Sequence, residues 1–247
     1  MTALDPDLWL RRFHRGPGTG PLLALLPHAG GSATYYYGLS ELLAPALDVI
    51  AVQYPGRQER RGERAVEDIR VLADQITAVV TAAAAGRPVA LFGHSMGAGV
   101  GYEMSLRLQA DGVEAVRLFA SGRRAPSRRR QEVPGGQDDG SLLAELRTLS
   151  GTDARLFDDP EVAEMILPAL RADYRAIEAY AWRPGEVPRC PITVLVGDAD
   201  PRVSKDDAQA WAEHTSGDFE LVTFSGGHFY LAEQSEEVAK TIVARLT

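Results

Sequence analysis

Gly93-His94-Ser95-Met96-Gly97 sets a serine between a short apolar run, Val89 to Phe92, and a helical pattern from Met96 to Ala110. A serine at such a strand-to-helix turn sits on a tightly bent backbone, and glycine on both sides removes the Cβ clashes that the bend would cause. Its hydroxyl then stands above the strand end, beside the positive end of a helix. In a chain with 24 glycines a bare G-x-S-x-G is an ordinary turn, so the strand before it and the helix after it carry the weight. Serine alone is a poor nucleophile, so this reading requires an acid and then a histidine further along the chain.

Both residues are present. His228 lies in Ser225-Gly226-Gly227-His228-Phe229, a glycine turn directly after the apolar run Phe219 to Phe224. Asp200 lies in Gly197-Asp198-Ala199-Asp200-Pro201, just past Ile192 to Val196, and Pro201 biases it toward extended backbone. A carboxylate there can accept from the imidazole Nδ1 and hold the tautomer whose Nε2 faces Ser95. Asp198 is the rival acid, and Asp200 is preferred because it lies farther from the strand. The loop Pro27-His28-Ala29-Gly30-Gly31 follows the first apolar run, where such a fold places its second oxyanion donor. The hole is therefore assigned to the backbone N–H groups of Ala29 and Met96.

Other chemistries find less support. There is no G-x-x-x-x-G-K and no H-E-x-x-H, and Cys and His are not paired at metal spacing, so neither a cofactor nor a metal is expected. Gly97 and Gly99 begin a G-x-G-x-x-G whose last position is Tyr102, which removes the dinucleotide fingerprint. His94 shares the turn with Ser95, but adjacent side chains diverge, and His14 and His214 are flanked by charge. Cys190, beside Pro191 and without an activating neighbour, reads as a small buried hydrophobe.

The elements that must position these residues follow from periodicity. Leu22 to Leu26 and Val49 to Tyr54 are apolar runs ended by Pro27 and Pro55, a strand-then-breaker pattern that recurs at Val89, Val116, Ile192 and Phe219. Between Val66 and Ala85 apolar residues recur every three or four positions until Gly86, and Ala208 to His214 and Ser235 to Leu246 read as further helices. This alternation predicts an α/β fold, a mostly parallel central sheet with helices on both faces. From about 123 to 188 no strand appears. Helical patterns near Leu142 to Leu149 and Glu161 to Trp182 there predict an inserted helical lid on a single domain spanning 1–247, with a plain helical excursion as the equal alternative.

Composition narrows the partners. The 247 residues hold 26 Lys+Arg against 34 Asp+Glu, a net charge of −8 that disfavours a general nucleic-acid binder. No apolar run approaches the roughly 18 residues of a membrane span. Asp5 and Asp7 stand where a signal peptide would be basic and then apolar, and a single cysteine cannot form an internal disulfide, so a cytoplasmic location is expected.

Six pieces in register, Pro27 to Gly31, Tyr54-Pro55-Gly56-Arg57, Gly93 to Gly97, Ser121-Gly122-Arg123, Gly197 to Asp200 and Gly226 to Phe229, span nearly the whole chain. Together they resemble the type II thioesterases of polyketide and nonribosomal peptide synthesis, the free-standing editing enzymes of actinobacterial antibiotic clusters such as that for rifamycin. The resemblance implies an α/β-hydrolase fold with a helical lid. It also implies hydrolysis of stalled or wrongly loaded acyl groups from the phosphopantetheine arm of acyl or peptidyl carrier proteins, with a monomer as the default state. Carried over by position, Ser95 is the nucleophile, His228 the base, Asp200 the orienting acid, and Ala29 and Met96 the oxyanion donors. The alternatives are a carboxylesterase or lipase-like hydrolase using the same triad on oxygen esters, and a noncatalytic carrier-binding protein. Arg123, Arg124, Arg128, Arg129 and Arg130 form either a docking patch for an acidic carrier protein or a solvated loop, and Arg57 and Arg60 could serve docking equally. Tyr35, Tyr36 and Tyr37 either line a pocket or pack the first helix.

Overall fold

The computed structural model describes residues 4–113, 115–128, 139–142 and 160–247. Seven strands form one sheet: β1 (Leu10–Arg11), β2 (Leu22–Leu26), β3 (Asp48–Val52), β4 (Val89–His94), β5 (Ala115–Ser121), β6 (Ile192–Gly197) and β7 (Phe219–Phe224). Their order is β1-β3-β2-β4-β5-β6-β7, with every pair parallel except the short edge strand β1 on β3. The expected α/β sheet is therefore present. β1, two residues long, is too short for any periodic signal, and β3 stops at Val52, two residues before its expected end.

β2 to β4 are buried along their whole length, because helices cover both faces of the sheet. Alternation along each strand divides the core. Leu22, Ala24, Leu26, Ile50, Val52 and Leu91 join one cluster, while Leu23, Leu25, Val49, Ala51 and Phe92 join the other. The first cluster takes in α3 (Ile69–Ala84) and α4 (Met96–Ala110); the second takes in α2 (Tyr37–Leu43) and, at the far end of the chain, the C-terminal helix. Asp68 starts α3 by accepting from the N–H groups of Arg70 and Val71, and left-handed Ala85 with Gly86 ends it.

Between β5 and β6 the chain carries α5 (Pro160–Ala179), which continues through Pro168. Of the expected helical pattern from Leu142 to Leu149, only Leu142 falls among the described residues. After β6, α6 (Lys205–Gln209) begins at a reciprocal cap between Ser204 and Asp207, earlier than the apolar pattern indicates, and passes into a 3₁₀ turn over Ala210–His214. α7 (Tyr230–Glu233) and α8 (Ser235–Leu246) complete the chain.

The connections change direction at one place. From β2 the chain goes to β3 on one side, then crosses back over β2 to β4 and continues outward to β5, β6 and β7. The carboxyl ends of β2 and β4 thus flank the topological switch point, the crevice where an open α/β sheet binds its ligand.

Candidate active site

Ser95 occupies the turn from β4 to α4 with φ 53 and ψ −112, a left-handed conformation that a non-glycine residue adopts only when its surroundings impose it. The surroundings are backbone. A Cβ on Gly93 would lie 2.1 Å from the Gly97 carbonyl oxygen, and a Cβ on Gly97 would lie 2.1 Å from the Leu26 oxygen. Both glycines are therefore required by close approach, and the turn is wedged against the end of β2. Ser95 N–H donates to the Ser121 carbonyl at 2.8 Å, which ties the turn to β5 as well.

The sheet brings His228 and Asp200 together from the ends of β7 and β6. His228 Nδ1 lies 2.9 Å from Asp200 Oδ2, and both side chains are almost wholly buried. Asp200 Oδ1 accepts from the Arg202 N–H at 2.8 Å, so both carboxylate oxygens are engaged and the acid cannot swing away. The rival Asp198 is exposed and accepts instead from the Gly226 N–H at 2.9 Å, bracing the loop that carries His228. Ala29, Ser95 and His228 line one cavity with Gly122, Arg123, Arg124 and Arg202, closed by Tyr174 and Ile177 of α5. Met96, the first residue of α4, has its N–H among those of the first turn that find no acceptor within the helix. The cavity is small, about 30 Å³, with room for roughly one or two water molecules.

Behind the cavity lies a group of polar and aromatic residues that the spacing does not reveal. His94 is fully buried, with its ring centroid 5.0 Å from that of His228 and 6.0 Å from that of His28. Its Nδ1 bonds Ser121 Oγ at 2.9 Å, and Ser121 Oγ bonds the Tyr230 hydroxyl at 2.7 Å. Burial, then the neighbouring His228 and His28, hold the His94 pKa well below the ordinary value, so its ring stays neutral. Burial, then His228 and Arg57, push His28 down to about 3. Phe229 and Tyr35 meet the His28 ring edge-on, while Tyr36 is buried with its hydroxyl on the Leu26 carbonyl and Tyr37 is exposed. None of the three tyrosines lines the cavity that holds Ser95: Tyr36 packs in the core and Tyr35 packs on His28.

Several expectations need correction. Arg57 and Arg60 are 5% and 4% exposed and bonded internally, so neither is a surface docking residue. Arg124 is likewise buried, Arg128 is exposed, and Arg129 and Arg130 lie outside the described residues. His214 is buried with Nε2 on Ser127 Oγ, and His14 meets Ser40. Cys190 is buried as expected, and burial pushes its thiol up to about 11. Among the described residues no cluster of His, Cys, Asp and Glu could hold a metal, and no helix is long and apolar enough to cross a membrane.

A parallel sheet with a serine on the β4–α4 turn and a buried His–Asp pair beyond β6 and β7 is the architecture of the α/β hydrolases. Within that class, residues 21–246 match the thioesterase domain model, and the chain belongs to the thioesterase family. It is 45% identical over 240 residues to thioesterase PikA5 of Streptomyces venezuelae, covering 97% of this chain and 85% of that one. Among solved structures it resembles the type II thioesterase BorB from the borrelidin biosynthetic cluster, at 48% identity and a TM-score of 0.91 over 99% of this chain and 100% of that one. It also resembles RedJ, the thioesterase of the prodiginine pathway in Streptomyces coelicolor, at 31% identity and a TM-score of 0.85 over 98% and 92% of the two chains. The protein is thus a thioesterase, a hydrolase of the type II kind that accompanies polyketide and nonribosomal peptide synthesis.

Proposed function

We propose that this thioesterase releases stalled or wrongly loaded acyl groups from the phosphopantetheine arm of acyl or peptidyl carrier proteins, with Ser95 as nucleophile, His228 as base and Asp200 as orienting acid. The observation that carries the proposal is the 2.9 Å contact of His228 Nδ1 with the buried Asp200, in a cavity that Ser95 also lines. With Nδ1 held by the carboxylate, Nε2 is the nitrogen left to take the Ser95 proton as Oγ attacks the thioester carbonyl. The Ala29 and Met96 N–H groups receive the developing oxyanion, a contribution worth about 10²–10³ in kcat per donor. His228 then protonates the departing pantetheine sulfur, and water activated by the same ring releases the acid from the Ser95 ester.

In this reading the chain is a single domain in which α5, with the rest of the insertion at about 123–188, serves as the lid over the cavity. The protein acts as a monomer in the cytoplasm, where a lone reduced cysteine is in keeping. The substrate is a group at the end of a long arm, so access past α5 governs turnover as much as the chemistry does.

The test is intact-protein mass spectrometry of a carrier protein loaded with a short acyl group, incubated with the unmodified enzyme and with its Ser95→Ala variant. Loss of the acyl mass with the unmodified enzyme alone is expected. Equal loss with Ser95→Ala would reject the triad, and cleavage of simple oxygen esters without carrier unloading would move the assignment to a carboxylesterase.

A further inference from the structure

α5 does more than close the cavity, because one of its carboxylates reaches the loop that carries the oxyanion donor. Asp173, 1% exposed, accepts the Gly30 N–H on Oδ2 at 2.8 Å, across 143 residues of sequence. The same carboxylate receives both terminal nitrogens of Arg57, Nη1 on Oδ2 at 2.7 Å and Nη2 on Oδ1 at 2.8 Å. Arg57 Nη1 also donates to the Gly31 carbonyl at 3.0 Å, and its Nε donates to the Pro55 carbonyl at 3.3 Å. Thus Asp173 holds the Ala29–Gly30 peptide and Arg57 holds the Gly31–Ser32 peptide, one on each side of the Gly30–Gly31 pair. Ala29, directly before the clamped N–H, packs against Leu167, Leu170 and Tyr174 of α5.

Resting on the reading of Ser95 and Ala29 given above, we propose that Asp173 is a positioning residue that aims the Ala29 N–H at the oxyanion, so that the hole is complete only while α5 is docked. Clamping the Ala29–Gly30 peptide fixes the plane that follows Ala29, and with the Ala29 side chain packed on α5 this limits how far the N–H on the other side of its Cα can turn. A displacement of α5 that widens the cavity for an acyl group withdraws the carboxylate at the same time, and reclosure restores the hole around the bound thioester. The buried guanidinium supplies the countercharge that lets a carboxylate stand there at all.

Two variants separate this role from simple stabilisation. Asp173→Asn keeps a carbonyl oxygen for the Gly30 N–H but leaves the Arg57 charge uncompensated; the double variant Arg57→Met with Asp173→Leu removes both charges and fills the space with apolar atoms, a replacement buried ion pairs often tolerate. Measured on a small acyl thioester well below each melting temperature, the double variant is expected to lose about 100-fold in kcat with KM changed less than threefold. Asp173→Asn is expected to melt lower than the double variant yet keep kcat within about tenfold of the unmodified enzyme. Activity that merely follows melting temperature through this set would overturn the proposal, as would a double variant with unmodified kcat. Ser95→Ala is assayed alongside: if it is inactive and the double variant is fast, only the role of Asp173 fails, whereas an active Ser95→Ala removes the site reading and the positioning role with it.

Discussion

Gly93→Ala puts the strand-to-helix turn under a defined steric load. The added Cβ would stand 2.1 Å from the Gly97 oxygen, 2.2 Å from its carbonyl carbon and 2.5 Å from the Ala98 nitrogen, all backbone atoms of the first turn of α4. Real Cβ contacts essentially never fall under 3.0 Å, so the turn must open by about 0.9 Å, from 2.1 Å to at least 3.0 Å, and no side chain can rotate away to relieve it. Overpacking of this kind costs about 1–3 kcal/mol of stability. A misplacement near 1 Å at a reacting group costs on the order of 10²-fold in rate, so kcat on a small acyl thioester is expected to fall by about that factor. Gly99→Ala is the internal control: the same helix, but no atom within 4 Å of the new Cβ, and a gain of about 0.5–1 kcal/mol from replacing a helical glycine. The assay pairs thiol release with urea unfolding. If Gly93→Ala keeps kcat within threefold, the backbone contacts do not fix Ser95 and the account of the turn is wrong.

The acid assignment divides cleanly. Asp200→Asn is expected to lower kcat by about 10⁴ through loss of the correct imidazole tautomer, whereas Asp198→Asn, exposed and bonded to a loop N–H, stays within a fewfold; equal losses would reassign the acid. Stability depends on pH through the buried imidazoles. His94 stays neutral in the folded state while the unfolded chain takes up its proton near pH 6.5, so the unfolded state binds more protons and stability falls as pH drops below that value. The fall from this one site is about 1.4 kcal/mol by pH 5.5, and half-buried His28 adds to it until its own proton binds at about 3. Carboxylates titrate lower, so urea midpoints at pH 7 and 5.5 isolate the imidazoles, and His94→Asn should shrink the difference while the part due to His28 and to buried His214 stays; an unchanged difference would show that His94 carries a proton in the fold.

What could be read from the sequence was what lies close together in it. The strands were legible because burial on both faces makes them short apolar runs with abrupt ends, and the serine turn because backbone crowding at Gly93 and Gly97 leaves no residue but glycine. Asp200 and His228 were legible for a related reason: each follows a strand by a few residues, at the carboxyl ends of two neighbouring strands where side chains can converge. Asp173 gave no such signal. It sits in the middle of an amphipathic helix, 116 residues from Arg57, and nothing local distinguishes an inward aspartate that meets a guanidinium from one on a solvated face. The His94–Ser121–Tyr230 chain was hidden in the same way, since its members come from β4, β5 and α7 and meet only when the sheet is assembled.

Charge was the least legible property, for a reason that bears on substrate recognition. A run of arginines reads as a patch, yet burial sorts them one by one: Arg57 turns inward to Asp173, Arg60 to Glu63 and the Gln53 carbonyl, and Arg124 to the Arg202 carbonyl. Of the described part of that run, Arg128 is exposed and Arg123 half-buried. Arg123, Arg124 and Arg202 instead line the cavity with Ser95 and His228. A guanidinium beside the serine favours an anionic tetrahedral intermediate over a neutral thioester. Arg128→Glu should therefore act on carrier-bound substrate through KM and its salt dependence, leaving a small thioester untouched, while charge removal at Arg202 should lower kcat on both. A kcat at Arg202→Gln that matches the unmodified enzyme on both substrates would refute that role for Arg202.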